Sequence, residues 1–193
     1  MFELIREDWR TYHGNVFHRG LWVMCVYRFG RWRYSIPWRP VRLPFSFLYK
    51  LSFLLCQIVT GVELPCEAAV GRRLRIEHTS DIVVSGDATL GDDVILRNGV
   101  TIGLRRTGYR GSPTIGNRVD IGAGAKILGP IHVGDDAVVG ANAVLLQDVP
   151  PNFLAIGVPA RIRKRRAEPA GLLSYREEFG NENLTLAIEH EQP

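Results

Sequence analysis

The chain has 193 residues, 46% hydrophobic and 23% charged, with a formal net charge of +4. That is enough for about one domain, or one domain with an extension, and it excludes a chain disordered throughout. Residues 1–50 hold nine Lys and Arg against three Asp and Glu, while the stretch from Ala167 holds one Arg against six Glu. A basic front can face anionic lipid, a phosphorylated ligand or nucleic acid. No nucleic-acid-binding motif accompanies it, so no nucleic-acid partner is expected. The three cysteines, Cys25, Cys56 and Cys66, lack metal-ligand spacing and read as free thiols in a reducing compartment, with no metal expected. The opening MFELIREDWR has no apolar signal region, so a cytoplasmic location is expected.

Residues 1–60 read as a helical cap. Leu4, Trp9 and Tyr12, then Leu21, Cys25, Phe29 and Trp32, recur at helical spacing. Pro37, Pro40 and Pro44 predict two or three helices with a joint near 35–44. Leu43–Val59 is apolar but interrupted by Pro44, Lys50 and Gln57, and falls short of the ~20 apolar residues of a membrane span. A buried helix is the first reading, and docking on the inner face of a membrane the second.

Residues 61–164 read as a repeat domain. Ile115, Ile121, Ile127, Val133, Val139 and Leu145 keep a period of six. A small or apolar residue follows each by four: Val119, Ala125, Ile131, Ala137, Ala143 and Val149. This period fits neither an amphipathic helix nor an alternating strand; it belongs to hexapeptide repeats that wind parallel β-helices. Each hexad is a short strand plus a corner, three hexads make one turn of a prism, and turns must stack to bury their inward rows. Gly116, Gly122, Gly134 and Gly140 follow inward residues, where a tight turn with positive φ is expected.

The pattern begins near Leu64, runs through Val70, Ile76 and Ile82, slips by two, resumes at Val84 or Leu90, and runs on through Leu96 and Ile102. From Ile102 to Ile115 the step is thirteen, one hexad plus seven residues, and the extra chain carries Arg105, Arg106, Tyr109 and Arg110. A polar loop thrown out of a solenoid is a place for function. Ile156-Gly157 with Ile162 reads as a final partial coil, and 165–193 as an acidic tail, a loose helix or disordered. Among five histidines His78 stands out: it points away from the inward row, with Glu77 and Asp81 nearby. An imidazole can take a proton from a hydroxyl at neutral pH, yet a surface histidine without a task has the same sequence appearance.

The runs IEHTSDIVVSGDATLGDDVILRNGVTIG at 76–103 and SPTIGNRVDIGAGAKILGPIHVGDDAVVGANAVLLQDVPPNFLAIGVPARI at 112–162 resemble the serine acetyltransferase group of hexapeptide acyltransferases. IREDWRTY and GLWVMCVYRFGRW are more loosely similar to that family's helical cap. The resemblance implies a mainly β protein, a left-handed parallel β-helix with an N-terminal α-helical cap, that moves an acetyl group from acetyl-CoA to a small hydroxyl acceptor. It implies a homotrimer or dimer of trimers with active sites between neighbouring prisms.

Carried over residue by residue, His78 matches the catalytic base, and Glu63 falls where the family has an Asp that orients it. Glu77 replaces the Asp that helps hold the acceptor. Gly122-Ala123 and Gly140-Ala141 match the groove for the pantetheine arm, and Arg163 and Lys164 would meet the coenzyme phosphates. The departures bear on the acceptor. Where the family's inserted loop ends in Arg-His-Pro, gripping the serine carboxylate, this chain has Gly111-Ser112-Pro113. Losing such a clamp costs on the order of 2–3 kcal/mol, which Arg105, Arg106 or Arg110 could offset. The cap's Asp-Pro element has no counterpart in RTYHGNVFHRG, and the ending Glu191-Gln192-Pro193 lacks the Ile that docks into cysteine synthase, so that complex is not expected. The pattern is also similar to a sister group in exopolysaccharide gene clusters, with Glu at the Glu63 place. A sugar hydroxyl is therefore the first acceptor, serine the alternative, and a non-catalytic β-helix scaffold the reading of another class.

Overall fold

The structure is a computed structural model that describes residues 2–106, 108 and 111–165. Residues 166–193, with nearly all of the expected acidic tail, lie outside the described residues. Three helices open the chain: α1 (Phe2–Thr11), α2 (Arg19–Arg33) and α3 (Arg39–Thr60). Pro40 sits in the first turn of α3, where its missing N–H costs nothing. Gly61 ends that helix in the left-handed conformation at φ 66, its N–H donating to the Gln57 carbonyl at 2.8 Å.

Among the described residues, fifteen short strands follow in three sheets. One holds β1 (Val62–Glu63), β4 (Ile82–Val84), β7 (Thr101–Gly103), β10 (Lys126–Leu128) and β13 (Val144–Leu145). The second holds β2 (Ala69–Val70), β5 (Thr89–Leu90), β8 (Thr114–Ile115) and β11 (His132–Val133). The third holds β3 (Arg75–Ile76), β6 (Ile95–Leu96), β9 (Asp120–Ile121), β12 (Val138–Val139), β14 (Phe153–Ile156) and β15 (Arg161–Lys164). From β1 to β14 consecutive strands belong to different sheets, so the chain winds a three-sided prism. The hexad register holds: Leu90 pairs Ile115 and Ile115 pairs Val133, Leu96 pairs Ile121 and then Val139, Ile102 pairs Ile127 and then Leu145. The inward Ile and Leu side chains are buried, each contributing roughly 1.5–3 kcal/mol over exposure.

The corner glycines have a different reason from the expected one. Positive φ falls three residues after the inward position, on Asp93, Arg118, Asp136 and Asn142. Gly122, directly after its inward residue, lacks a side chain because a Cβ there would lie 2.5 Å from the Ala141 nitrogen of the next coil. Close coil stacking sets that position. The expected final partial coil is met by β14, which stacks parallel on β12, but the segment with Ile162 departs from it: β15 folds back antiparallel to β14, pairing Arg161 with Ile156, and covers an open sheet edge.

The cap closes the other end. The first coil has no coil before it, and buried unpaired backbone groups are costly. Tyrosine hydroxyls from the cap supply partners. Tyr12 donates to the Leu74 carbonyl at 3.1 Å and accepts from the Ile76 N–H at 3.0 Å. Tyr27 likewise bridges Ala68 and Val70 at 2.8 and 3.0 Å, and Tyr49 accepts from the Cys66 N–H at 3.0 Å. Arg28, paired with buried Asp8 at 2.9 Å, donates to the Gly71 carbonyl at 2.8 Å. Hydrogen bonds from Arg72 and Arg73 hold the Glu7 carboxyl below the usual carboxylate range.

The expectation of a buried helix at Leu43–Val59 is not met. α3 buries only Tyr49 and Thr60, while Phe47 is 72% and Ile58 71% exposed. The physical reason is that α2 and the first coil cover one side of the helix, and no other element among the described residues covers the rest. At 22 residues α3 is long and apolar enough to cross a membrane.

Candidate active site

The two-residue slip seen in the sequence is the corner that carries His78. Val84 stacks on Ile102, so the step from inward Ile76 to inward Val84 is eight, with Ile82 filling the small inward place. The two extra residues widen the corner between β3 and β4. His78 and Asp81 there take φ 55 and 51, which turns the imidazole outward. The corner is braced on two sides. Gly99 donates its N–H to the Ser80 carbonyl at 2.8 Å, and Ile82 donates to the Gly61 carbonyl at 3.2 Å. At the start of α2, Gly20 lies so near that a Cβ would meet the Ile76 carbonyl at 2.7 Å. His78 and Thr79 line an open hollow of about 330 Å³ with Asn15, Phe17, His18 and Arg19 of the cap.

The sequence-derived companions of His78 divide into those on its edge of the prism and those elsewhere. The corners after β3, β6, β9 and β12 stack directly, through Gly99 N–H to Ser80, Gly124 N–H to Asn98 and Asn142 N–H to Ala123, each at 2.8 Å. Gly122-Ala123 and Gly140-Ala141 therefore share one edge with His78. Arg163 and Lys164 lie exposed on β15 beyond the last coil, opposite Leu154 and Phe153 and so toward the start of β14; Arg161, opposite Ile156, is the β15 residue nearest that edge. From β3 to β14 there are four strand spacings, about 19 Å.

Glu63 is not brought to His78 within the chain. Its carboxylate accepts from Gln57 Nε2 at 3.3 Å, and no ion pair with His78 forms among the described residues. Glu77 is engaged in a strip of charges, with Arg75 at 3.0 Å and Arg97 at 3.2 Å, and Arg97 in turn reaches Asp120. Holding an acceptor would require it to leave two guanidiniums. Arg105 and Arg106 are exposed at the start of the loop between β7 and β8, and Arg110 lies outside the described residues. That loop leaves a different edge of the prism from the one carrying His78. At its end Ser112 is hydrogen-bonded to Ser85 at 2.9 Å.

The residues missed by sequence reasoning are the cap's contribution to the hollow. Their one visible signal was that RTYHGNVFHRG lacks the family's Asp-Pro element. Among the described residues no group of three or more His, Cys, Asp or Glu is arranged to hold a metal.

The fold is that of a hexapeptide-repeat β-helix, and residues 112–147 match the family described as bacterial transferase hexapeptide (six repeats). A serine acetyltransferase of Helicobacter pylori is 44% identical over 120 residues, covering 61% of this chain and 69% of that protein. One from Mycobacterium tuberculosis is 43% identical over 122 residues, covering 62% of this chain; the chain spans only 53% of that relative's length. The solved serine acetyltransferase of Brucella abortus in complex with coenzyme A superposes with a TM-score of 0.73 at 27% identity, covering 87% of this chain and 69% of that one. The chain belongs to the serine acetyltransferase family of left-handed β-helix proteins.

Proposed function

We propose that the chain transfers an acetyl group from acetyl-CoA to a hydroxyl, with His78 as general base. The observation that carries this is the single edge shared by the outward imidazole and the small-residue corners at Gly122-Ala123 and Gly140-Ala141. That edge has a length an extended pantetheine arm can follow, and the basic strand β15 beyond the last coil, with Arg163 and Lys164, would meet phosphates. Acetyl-CoA supplies the activated acyl group. His78 takes the acceptor O–H proton as the oxygen attacks the thioester carbon; the C–S bond then breaks, and the imidazolium returns the proton to the leaving sulfur.

Serine is the acceptor favoured by the names of the relatives, which reverses the order drawn from sequence alone. A sugar hydroxyl stays as the second reading because Gly111 stands at the loop position where the resemblance implies a carboxylate-gripping Arg, and the next residue, Ser112, is tied to Ser85. The test offers purified protein acetyl-CoA with serine and with a panel of sugars and follows free thiol. Turnover with serine is expected; turnover with sugars only would move the acceptor to the second reading, and none with either would overturn acetyl transfer.

The loop carrying Arg105 and Arg106 and the corner carrying His78 belong to different edges, so a neighbouring prism could bring them together. We therefore propose a homotrimer with shared sites. Mixing inactive His78→Asn chains with chains weakened by Arg105→Ala and Arg106→Ala, after joint refolding, is expected to restore part of the wild-type activity. Activity no higher than the sum of the separate variants would assign each site to one chain.

The apolar face of α3 we assign to an anionic membrane surface. From Trp9 to Val62 the chain has eight Lys and Arg and no Asp or Glu, and exposed Arg39, Lys50 and Trp38 border the face. That is the charge and aromatic pattern of an interfacial helix lying on lipid. Flotation with phosphatidylglycerol vesicles is expected to carry the protein, and Leu51→Glu with Ile58→Glu to release it. No flotation, together with a smaller assembly in the variant, would give the face to a second copy instead.

A further inference from the structure

Arg19 is the one permanent charge among the six side chains lining the hollow beside His78. Nothing in the local fold calls for it. It is exposed, it forms no ion pair among the described residues, and as the first residue of α2 it opposes the helix dipole, with no acidic residue in that turn. The cap's other arginines near the prism do have structural partners: Arg28 is paired with Asp8, and Arg33 bonds the Tyr34 hydroxyl at 2.9 Å.

The segment that presents Arg19 is fixed against the strand that carries His78. Asn15 Oδ1 accepts from the Phe17 N–H at 2.9 Å, and Trp22 donates to the Val16 carbonyl at 2.6 Å. Gly20, the next residue, lies so near the Ile76 carbonyl that a Cβ would meet it, and the Tyr12 hydroxyl is bonded on both sides of Arg75, to Leu74 and Ile76. Arg19 is thereby held over the same hollow as the imidazole two residues beyond Ile76. A guanidinium in such a place is matched in shape and charge to a carboxylate.

We propose that Arg19 binds a carboxylate on the acceptor, so that the acceptor is a hydroxyl compound bearing that group near the hydroxyl His78 deprotonates. This rests on the acetyl-transfer reading. It names a cap residue for the clamp that the loop ending Gly111-Ser112-Pro113 does not supply. The carboxylate could belong to an amino acid or to a sugar acid, and the two pairs below distinguish them.

The test compares wild type, Arg19→Ala and Arg19→Lys, with thiol release from acetyl-CoA as the readout. Acceptors are offered in charged and neutral pairs: serine with serinamide, and glucuronate with glucose. Wild type is expected to favour the charged member of the pair it uses by at least about tenfold in kcat/KM. Arg19→Ala is expected to lower kcat/KM for that member by on the order of ten- to a hundredfold, mainly through KM. The neutral member and the KM for acetyl-CoA should stay within about twofold, and Arg19→Lys should recover part of the loss. Equal loss on both members, no loss, or a wild type that favours the neutral partner would overturn the proposal while leaving acetyl transfer intact. A wild type inactive with all four would overturn acetyl transfer itself and this proposal with it.

Discussion

Replacing His78 by Asn is expected to lower kcat by about 10²–10⁴-fold, the usual contribution of a positioned general base, while coenzyme A binding stays within about twofold. Asn is the cleaner substitution for a physical reason. His78 sits at φ 55, and Asn tolerates that left-handed conformation better than Ala. His78→Ala should lose activity equally but also about 1 kcal/mol of stability, since Ala in that conformation costs roughly 1–2 kcal/mol. The pair of variants separates chemistry from corner strain: kcat falls in both, and thermal stability falls only with Ala. A variant retaining more than a tenth of wild-type kcat, with the fold intact, would remove His78 from the mechanism.

Asp8→Ala is expected to give the largest loss of stability, about 3–5 kcal/mol, because it leaves the Arg28 guanidinium buried without its counter-ion. Asp8 and Arg28 are 1% and 5% exposed. Arg28 keeps its hydrogen bonds to the Gly71 and Val70 carbonyls, which puts the expected loss toward the lower end of that range. A domain stable by about 5–15 kcal/mol cannot absorb such a loss unnoticed. Urea unfolding followed by the helical signal should show the midpoint fall, since this pair anchors the cap. Adding Arg28→Met should recover much of the loss, as removing both charges removes the unpaired one. If the single and double variants unfold at the same urea concentration, the pair does not hold the cap.

Much of the prism was legible because its period is unusual. Six residues per strand and corner force Ile115, Ile121 and Ile127 onto three different sheets, and the observed pairings follow that count. The slip between Ile76 and Val84 was visible as an irregularity, but its meaning, a widened corner that turns His78 outward, needed the backbone. Other features left no such trace. An apolar run such as Leu43–Val59 has the same pattern whether it faces a core or an outside partner, so the exposure of α3 was not readable. Tyr12, Tyr27 and Tyr49 sit at no common spacing, and only the open edge of the first coil explains three hydroxyls turned toward it. Arg19 was one arginine among many until the hollow beside His78 gave it a neighbour. Glu63 and Glu77 show the converse: resemblance implied roles at the site, whereas Gln57, Arg75 and Arg97 are the partners they have in the chain.

A crystal structure of the assembled protein with coenzyme A bound tests the acetyl-transfer edge most directly. The expected ligand runs along the edge through Gly122-Ala123 and Gly140-Ala141, its sulfur beside His78 and its phosphates toward Arg163 and Lys164. A ligand lying along another edge, or a sulfur far from His78, would contradict it.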